Sequence, residues 1–313
     1  MRFGDNSMPG VGYTPVGRLA RLAVRVRWEI WLSWQFIKNN TLTTIVPLTV
    51  FALALSLNVR NDVTPTLLHV SISFVYFYLF IYTFDLNSQI FGVEEDRANK
   101  PDRPIPTGIV TLVQAKRRAM VVSLAFVLLS IAIDAVPYAL AWLMLVLLYS
   151  YTAWSCQWLL KCLLVSLGTQ TQLPVVAGIV GLHSAALWTW GVGIFVLMTM
   201  LIGVQDFRDV DGDRRVGRRT LPIVFGETRA RILIVISYVL SIAVAHCTIF
   251  AQAREGAYRT MATGFELVGA AMLLTVAYRL IYVRRTRQQD HTSYRIMECW
   301  YVLACASIVC VPV

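Results

Sequence analysis

Hydrophobic positions along the 313-residue chain gather into nine runs, at about 42–59, 67–91, 119–133, 137–155, 160–182, 187–204, 231–251, 262–283 and 297–313, and the polar positions lie mostly between them. A helix crosses the apolar core of a bilayer in about 20 residues. The pattern therefore predicts an all-α polytopic membrane protein with nine transmembrane helices. One run is interrupted: "TQTQLP" puts Thr169 to Gln172 and Pro174 in mid-span. A polar, proline-broken stretch at membrane depth is tolerated only where it faces protein or a wet cavity.

Before the first run, "RLARLAVRVRWEIWLSWQFIK" carries Arg18, Arg21 and Arg25 at helical spacing, followed by Trp28, Trp31 and Trp34. Basic residues and tryptophans on one helix read as an interfacial element lying on an anionic leaflet. Residues 1–41 are thus expected to be an N-terminal cytoplasmic interfacial segment, and 42–313 the nine-helix domain. No signal-peptide pattern opens the chain, since Met1 to Asn40 holds five arginines and no clean apolar core.

Composition sharpens the membrane reading. The chain is 57% hydrophobic and only 15% charged, with a mean hydropathy of +0.61, whereas a soluble domain carries about 25% charged residues. Charge then supplies a topology. With the N-terminus inside, segments 1–41, 92–118, 156–161, 205–231 and 279–296 hold 25 of the 28 Lys and Arg, leaving Arg60, Arg254 and Arg259 outside. Such asymmetry follows the positive-inside rule. The net charge of +10 is a topology signal, and no nucleic-acid motif accompanies it. The six cysteines show neither metal nor redox spacing.

Two cytoplasmic connections concentrate the acids. "NSQIFGVEEDRANKPDRPIP" (87–106) follows the second run and "QDFRDVDGDRRVGRRTLPIVFGE" (205–227) the sixth; together they hold nine of the 18 acids. If the sixth helix continues past the membrane, Asp206, Asp209 and Asp213 stand at i, i+3 and i+7 on one face. Carboxylates so placed repel one another, and a hard divalent cation relieves them: Mg²⁺ takes oxygen ligands from a few carboxylates plus substrate phosphates. Lys100, Arg103, Arg214, Arg215 and Arg218 nearby suit a polyanion, arginine gripping phosphate through two parallel bonds. A diphosphate held between the two acid clusters accounts for both signs of charge. The membrane setting then implies that the rest of the substrate is lipid-soluble.

These residues resemble the UbiA superfamily of intramembrane prenyltransferases, whose nine helices enclose a central cavity with a cytoplasmic cap over the active site. The second stretch looks like the family's DxxxD motif with an additional upstream Asp, which makes Asp206, Asp209 and Asp213 the implied Mg²⁺ ligands. "NKPDRPIPTG" (99–108) is similar to the tail of the first motif. "FIKNNTLTTIVP" (36–47) resembles the first-helix entry and puts Lys38 at a diphosphate-facing position, while "LYSY…LK" places Tyr149 and Lys161 between helices four and five. By the same likeness Lys100 and Arg103 belong to the diphosphate site.

The first motif departs from the family's NDxxDxxxD. Counting back from Arg103, its last Asp is Asp96, its middle Asp is Gly92, and its leading Asn falls on Ser88 beside Asn87. Glu94 and Glu95 are the acids available as substitutes; Asn87, Glu95 and Asp96 complete the implied metal set. This altered motif resembles a fungal subgroup of UbiA-type terpene cyclases. The resemblance implies an Mg²⁺-dependent class I cyclase that ionises farnesyl or geranylgeranyl diphosphate, with Asp96, Asp206, Asp209 and Asp213 catalytic. It also implies a multi-pass protein of the endoplasmic reticulum, its active site facing the cytoplasm, with substrate and bilayer as partners and no obligate protein partner. The alternative is an intermolecular prenyltransferase acting on an aromatic or lipid acceptor. Candidate rings for facing a carbocation are Tyr76, Tyr78, Tyr82, Trp142, Tyr149, Tyr151, Trp188, Phe195 and Trp300. Asp85 is either a functional intramembrane acid or one that reaches headgroup water.

Overall fold

The computed structural model describes residues 15–59 and 62–313. Residues 1–14 of the expected interfacial segment, and Arg60 of an outer connection, lie outside the described residues, as does the side chain of Arg18. Regular structure among the described residues is helical, apart from one bridge between Gln157 and Arg219.

Helix α1 (Pro15–Ile37) precedes α2 (Ile45–Val59) and α3 (Val63–Phe91), and a short α4 (Val93–Asn99) follows at the end of α3. Next come α5 (Leu112–Ala132), α6 (Val136–Tyr151), α7 (Trp158–Val180) and α8 (Ala185–Leu201). The short α9 (Asp206–Arg215) and α10 (Leu221–Phe225) lead into α11 (Glu227–Ala245), α12 (Ala257–Tyr282) and α13 (Arg287–Ala306). Each of the nine apolar runs lies on one helix: α2, α3, α5, α6, α7, α8, α11, α12 and α13. Among the described residues, five helical stretches are long and apolar enough to cross a membrane by length and composition: α3, α7, α8 extended to Arg215, α11 extended to Phe250, and α12. The apolar α2 and α6 are shorter.

Local chemistry marks the helix ends. Thr111 and Gln114 form a reciprocal capping box at the start of α5, Ser184 caps α8 and Thr286 caps α13. Asp134, at φ 55°, makes the tight turn between α5 and α6, as its place in "DAVP" suggests. Packing then closes a ring, in which α2 touches α3, α3 touches α6, and the sequence continues through α7, α8, α11, α12 and α13 back to α2. Helix α5 lies outside, against α3 and α6. Leucines such as Leu67, Leu124, Leu140, Leu240 and Leu267 stay exposed around the outside. Soluble monomers rarely expose apolar side chains on this scale; the exposure fits a protein whose solvent is lipid.

Candidate active site

The site begins where α3 ends. A Cβ on Gly92 would come within 2.9 Å of the Ser88 carbonyl oxygen, so glycine allows the chain to turn there and restart as α4. That turn buries Glu95, Asp96 and Asn99. Across from it, α8 tightens into one 3₁₀ turn (Ile202–Gln205) and continues as α9. Asp206, Asp209 and Asp213 are all buried on this continuation, on one face as their spacing predicts. The two segments meet through Gly212, whose Cβ would lie 1.9 Å from Asn99 Nδ2. Asn99 Nδ2 donates to the Asp209 carbonyl at 3.3 Å.

Each acid has a cation at hand. Arg103 Nη1 donates to both carboxylate oxygens of Asp96 at 2.8 Å, and Lys161 Nζ donates to Asp206 Oδ1 at 2.7 Å. Arg208 Nε lies 3.2 Å from Asp209 Oδ2. Arg218 Nη1 lies 2.8 Å from Glu95 Oε2 and 3.4 Å from Asp213 Oδ1, which bridges the two acid segments. Burial pushes the Glu95 carboxyl above its ordinary pKa, against the opposing pull of Arg218. Desolvation, and then the guanidiniums of Arg103 and Arg208, bring the Lys100 ammonium below its ordinary pKa despite Asp209.

The carboxylates are only half used by these pairs. Oδ2 of Asp206, Oδ1 of Asp209 and Oδ2 of Asp213 are buried without a hydrogen-bond partner, and a buried acceptor left so is destabilising by about 1–3 kcal/mol. Among the described residues no three acids, histidines or cysteines lie close enough together to hold an ion by themselves. Asp206 and Asp213 are seven residues apart on one helix, roughly 10 Å along its axis, which is too far for one ion. Unpartnered hard oxygens spread along a helix fit Mg²⁺, which keeps water and phosphate oxygens among its ligands.

Above α7 and α8 the site opens into a cavity of about 140 Å³. Glu95, Asp96, Lys100, Arg103, Lys161, Arg208, Asp209 and Arg218 line it from α4, α9, the connecting loops and the start of α7, at its charged mouth; Phe84, Leu145, Trp142, Tyr149, Gly168 and Met198 line it from the longer helices. Asp206 and Asp213 stand behind the wall, held to the lining residues Lys161 and Arg218. The structure does not bring Lys38 or Asn87 to the cavity. Lys38 Nζ lies 3.1 Å from Asp102 Oδ2; Asn87 Oδ1 accepts from Tyr151 Oη at 3.0 Å, and its Nδ2 donates to Thr83 O at 2.8 Å.

Of the candidate rings, Trp142 and Tyr149 line the cavity. Trp142 stacks on Phe80 at 3.8 Å. Tyr76 packs among Phe77, Phe80 and Phe126, and Trp188 is half exposed. Asp85 is fully buried and accepts from Asn40 Nδ2 at 2.6 Å, so it does not reach headgroup water. Several lining residues were not singled out from sequence, among them Phe84, Arg208 and Tyr294. Arg208 sits inside the second acid motif and was legible there. Tyr294, over whose ring the Arg208 guanidinium stacks at 4.1 Å, comes from α13 and carries no local signal.

The ring of apolar helices, with paired acids and bases beside a cavity that Trp142 and Tyr149 line, fits a protein embedded in a membrane. The chain belongs to the UbiA prenyltransferase family, whose model matches residues 42–302. It is 36% identical over 288 residues to Somaliensene A/B synthase of Streptomyces somaliensis, covering 92% of this chain and 95% of that one. With the diterpene cyclase eriG of Hericium erinaceus it shares 34% identity over 210 residues, 65% of this chain and 64% of the other. A UbiA homolog from Archaeoglobus fulgidus bound to DMAPP and Mg²⁺ has the same fold, with a TM-score of 0.65 at 12% identity over 88% of this chain and 99% of that one. The chain is therefore a UbiA-family membrane protein related to the family's terpene cyclases.

Proposed function

We propose that the protein is an Mg²⁺-dependent class I terpene cyclase acting on farnesyl or geranylgeranyl diphosphate. The observation that carries this reading is that one cavity is lined both by the charged residues of α4 and α9 and by the rings of Phe84, Trp142 and Tyr149. Its relatives support it: one is a diterpene cyclase, and a structural neighbour binds a prenyl diphosphate with Mg²⁺.

In this reading Asp206, Asp209 and Asp213 from α9, with Asp96 and Glu95 from α4, would share the holding of more than one Mg²⁺ ion, with water and phosphate oxygens completing the ligands. Mg²⁺ when bound neutralises charge on the diphosphate oxygens. Lys100, Arg103, Lys161 and Arg208 grip the diphosphate, and Tyr149 stands beside it. Arg103 Nε, buried and without a partner, is a donor in reserve for a phosphate oxygen. Lys38 and Asn87, outside the cavity, rank behind these residues. The allylic C–O bond breaks with its electron pair staying on the leaving oxygen, where the surrounding cations stabilise the charge that develops. The prenyl cation is left among Phe84, Trp142 and Tyr149, which exclude water and offer ring faces to positive charge. An alkene of the same chain closes the ring, and loss of a proton or capture of water ends the reaction.

The setting completes the proposal: nine spans, residues 1–41 lying on the cytoplasmic leaflet, and the mouth of the cavity facing the cytoplasm. In a eukaryotic host the membrane is that of the endoplasmic reticulum. The test is release of inorganic diphosphate from each substrate by purified protein without any acceptor. Release that requires Mg²⁺ is expected. Release only after an aromatic or lipid acceptor is added overturns the cyclase in favour of a transferase.

A further inference from the structure

The charged mouth leaves the polar stretch of α7 unexplained. Its hydroxyls are satisfied locally, Thr169 Oγ1 donating to Ser166 O at 2.6 Å and Thr171 Oγ1 to Gly168 O at 2.8 Å. Gln170 Nε2 donates to Gly191 O at 3.0 Å and ties α7 to α8. Gln172 does nothing of this kind. Gln172 lines the cavity and is 5% exposed, and its Oε1 is buried without a hydrogen-bond partner. Buried amides left unpaired are rare because they are destabilising, so this one invites a role. Rotation about the terminal torsion of glutamine is soft, and turning the oxygen here breaks no hydrogen bond.

The surroundings decide what it can do. Trp142, Val165, Gly168 and Met198 line the same cavity, and Val165 and Gly168 stand on α7 seven and four residues before Gln172. A Cβ at Gly168 would lie 3.1 Å from the Trp142 ring, so the glycine lets that ring lie against α7. In such an apolar, water-poor space a fixed carbonyl dipole acts on a nearby charge far more strongly than it does in water.

We propose that Gln172 turns its amide oxygen to the positive charge of the cyclising prenyl cation. It thereby holds the charge in the inner cavity, away from the diphosphate, and directs where ring closure leaves it. The proposal rests on the cyclase reading. It needs no bond to the protein and no proton on the amide; the electrons for ring closure come from the substrate's own alkenes.

The test compares wild type with Gln172→Leu and Gln172→Met, which keep the bulk and remove the dipole. Diphosphate release should stay close to wild type, because the mouth is untouched, while the ratio of the main cyclic product to linear or early-quenched products falls by roughly tenfold. A tertiary ammonium analogue of the cyclic cation, given with inorganic diphosphate, should bind wild type about tenfold tighter than its neutral carbon isostere, hydrogen bonds to charge being the stronger kind. The two analogues should bind the variants nearly alike. If wild type shows no preference for the ammonium analogue, the proposal is overturned without any variant having to fold. Wild type that cyclises beside variants with the same product mixture also overturns it and leaves the cyclase reading standing. Wild type that forms no cyclic product at all overturns the cyclase reading itself.

Discussion

Arg218 Nη1 holds Glu95 Oε2 at 2.8 Å, and with that contact the acid segment after α3 is joined to the one after α8. The Glu95 carboxylate lies over the place where the family's middle Asp would stand: a Cβ on Gly92 would be 3.6 Å from Glu95 Oε2. The Glu95 carboxylate therefore lies next to the position at which the resemblance expects an acid. Glu95→Gln is expected to raise the Mg²⁺ concentration for half-maximal activity by about tenfold, as loss of one charged ligand does. A magnesium titration of turnover checks it, and an unchanged midpoint removes Glu95 from the metal set.

Gly92→Asp should not act as a repair. Its Cβ meets backbone, the Ser88 carbonyl at 2.9 Å, and its carboxylate would crowd Glu95. The expected result is an unchanged Mg²⁺ requirement with a loss of stability of about 1–3 kcal/mol, the usual range for overpacking. Thermal unfolding in detergent, read beside the magnesium titration, distinguishes this from a gain of metal affinity.

Asp209 lines the cavity, whereas Asp206 and Asp213 stand behind its wall, so Asp209 is the most direct single probe of the second cluster. Asp209→Asn keeps shape and removes charge. Turnover should fall by at least about 10²-fold, the scale of losing one preorganised electrostatic contact, with the unfolding temperature little changed. Near-normal turnover would remove the metal assignment from this residue.

The pair Lys161–Asp206 makes stability and activity separable. Their side chains are 4% and 1% exposed and 2.7 Å apart. Lys161→Met leaves a buried carboxylate without its partner and should destabilise by about 3–5 kcal/mol. Adding Asp206→Leu removes the stranded charge and should restore most of the stability, since apolar replacements of buried pairs are often neutral. Activity should stay lost in the double variant. Unfolding and diphosphate release measured on the same samples test both halves.

The path from sequence to structure was clearest where the signal was local. Nine apolar runs became nine helices because one helix satisfies its own backbone and needs no knowledge of its neighbours. The spacing of Asp206, Asp209 and Asp213 likewise placed them on one buried face, since helical periodicity alone determines it. Spacing could not say that each would take a different cation: Lys161 from α7, Arg208 from its own helix, Arg218 from the following loop. The Lys161 pairing depends on how α7 packs on α9; the Arg218 bridge to Glu95 depends on how α4 packs on α9, which Gly212 permits by accepting Asn99 across more than a hundred residues. For the same reason Tyr294 on α13 was invisible, while Lys38, well placed by resemblance, is instead engaged by Asp102.

The measurement that bears most directly on the central claim is the identity of the hydrocarbon made. Membranes containing the protein are incubated with Mg²⁺ and farnesyl or geranylgeranyl diphosphate, separately and without acceptor, and the hexane extract is analysed by gas chromatography–mass spectrometry. The expected result is a cyclic terpene or terpene alcohol from one of the two substrates that disappears with EDTA. An extract holding no cyclic product, with substrate consumed only once an aromatic or lipid acceptor is supplied, would contradict it.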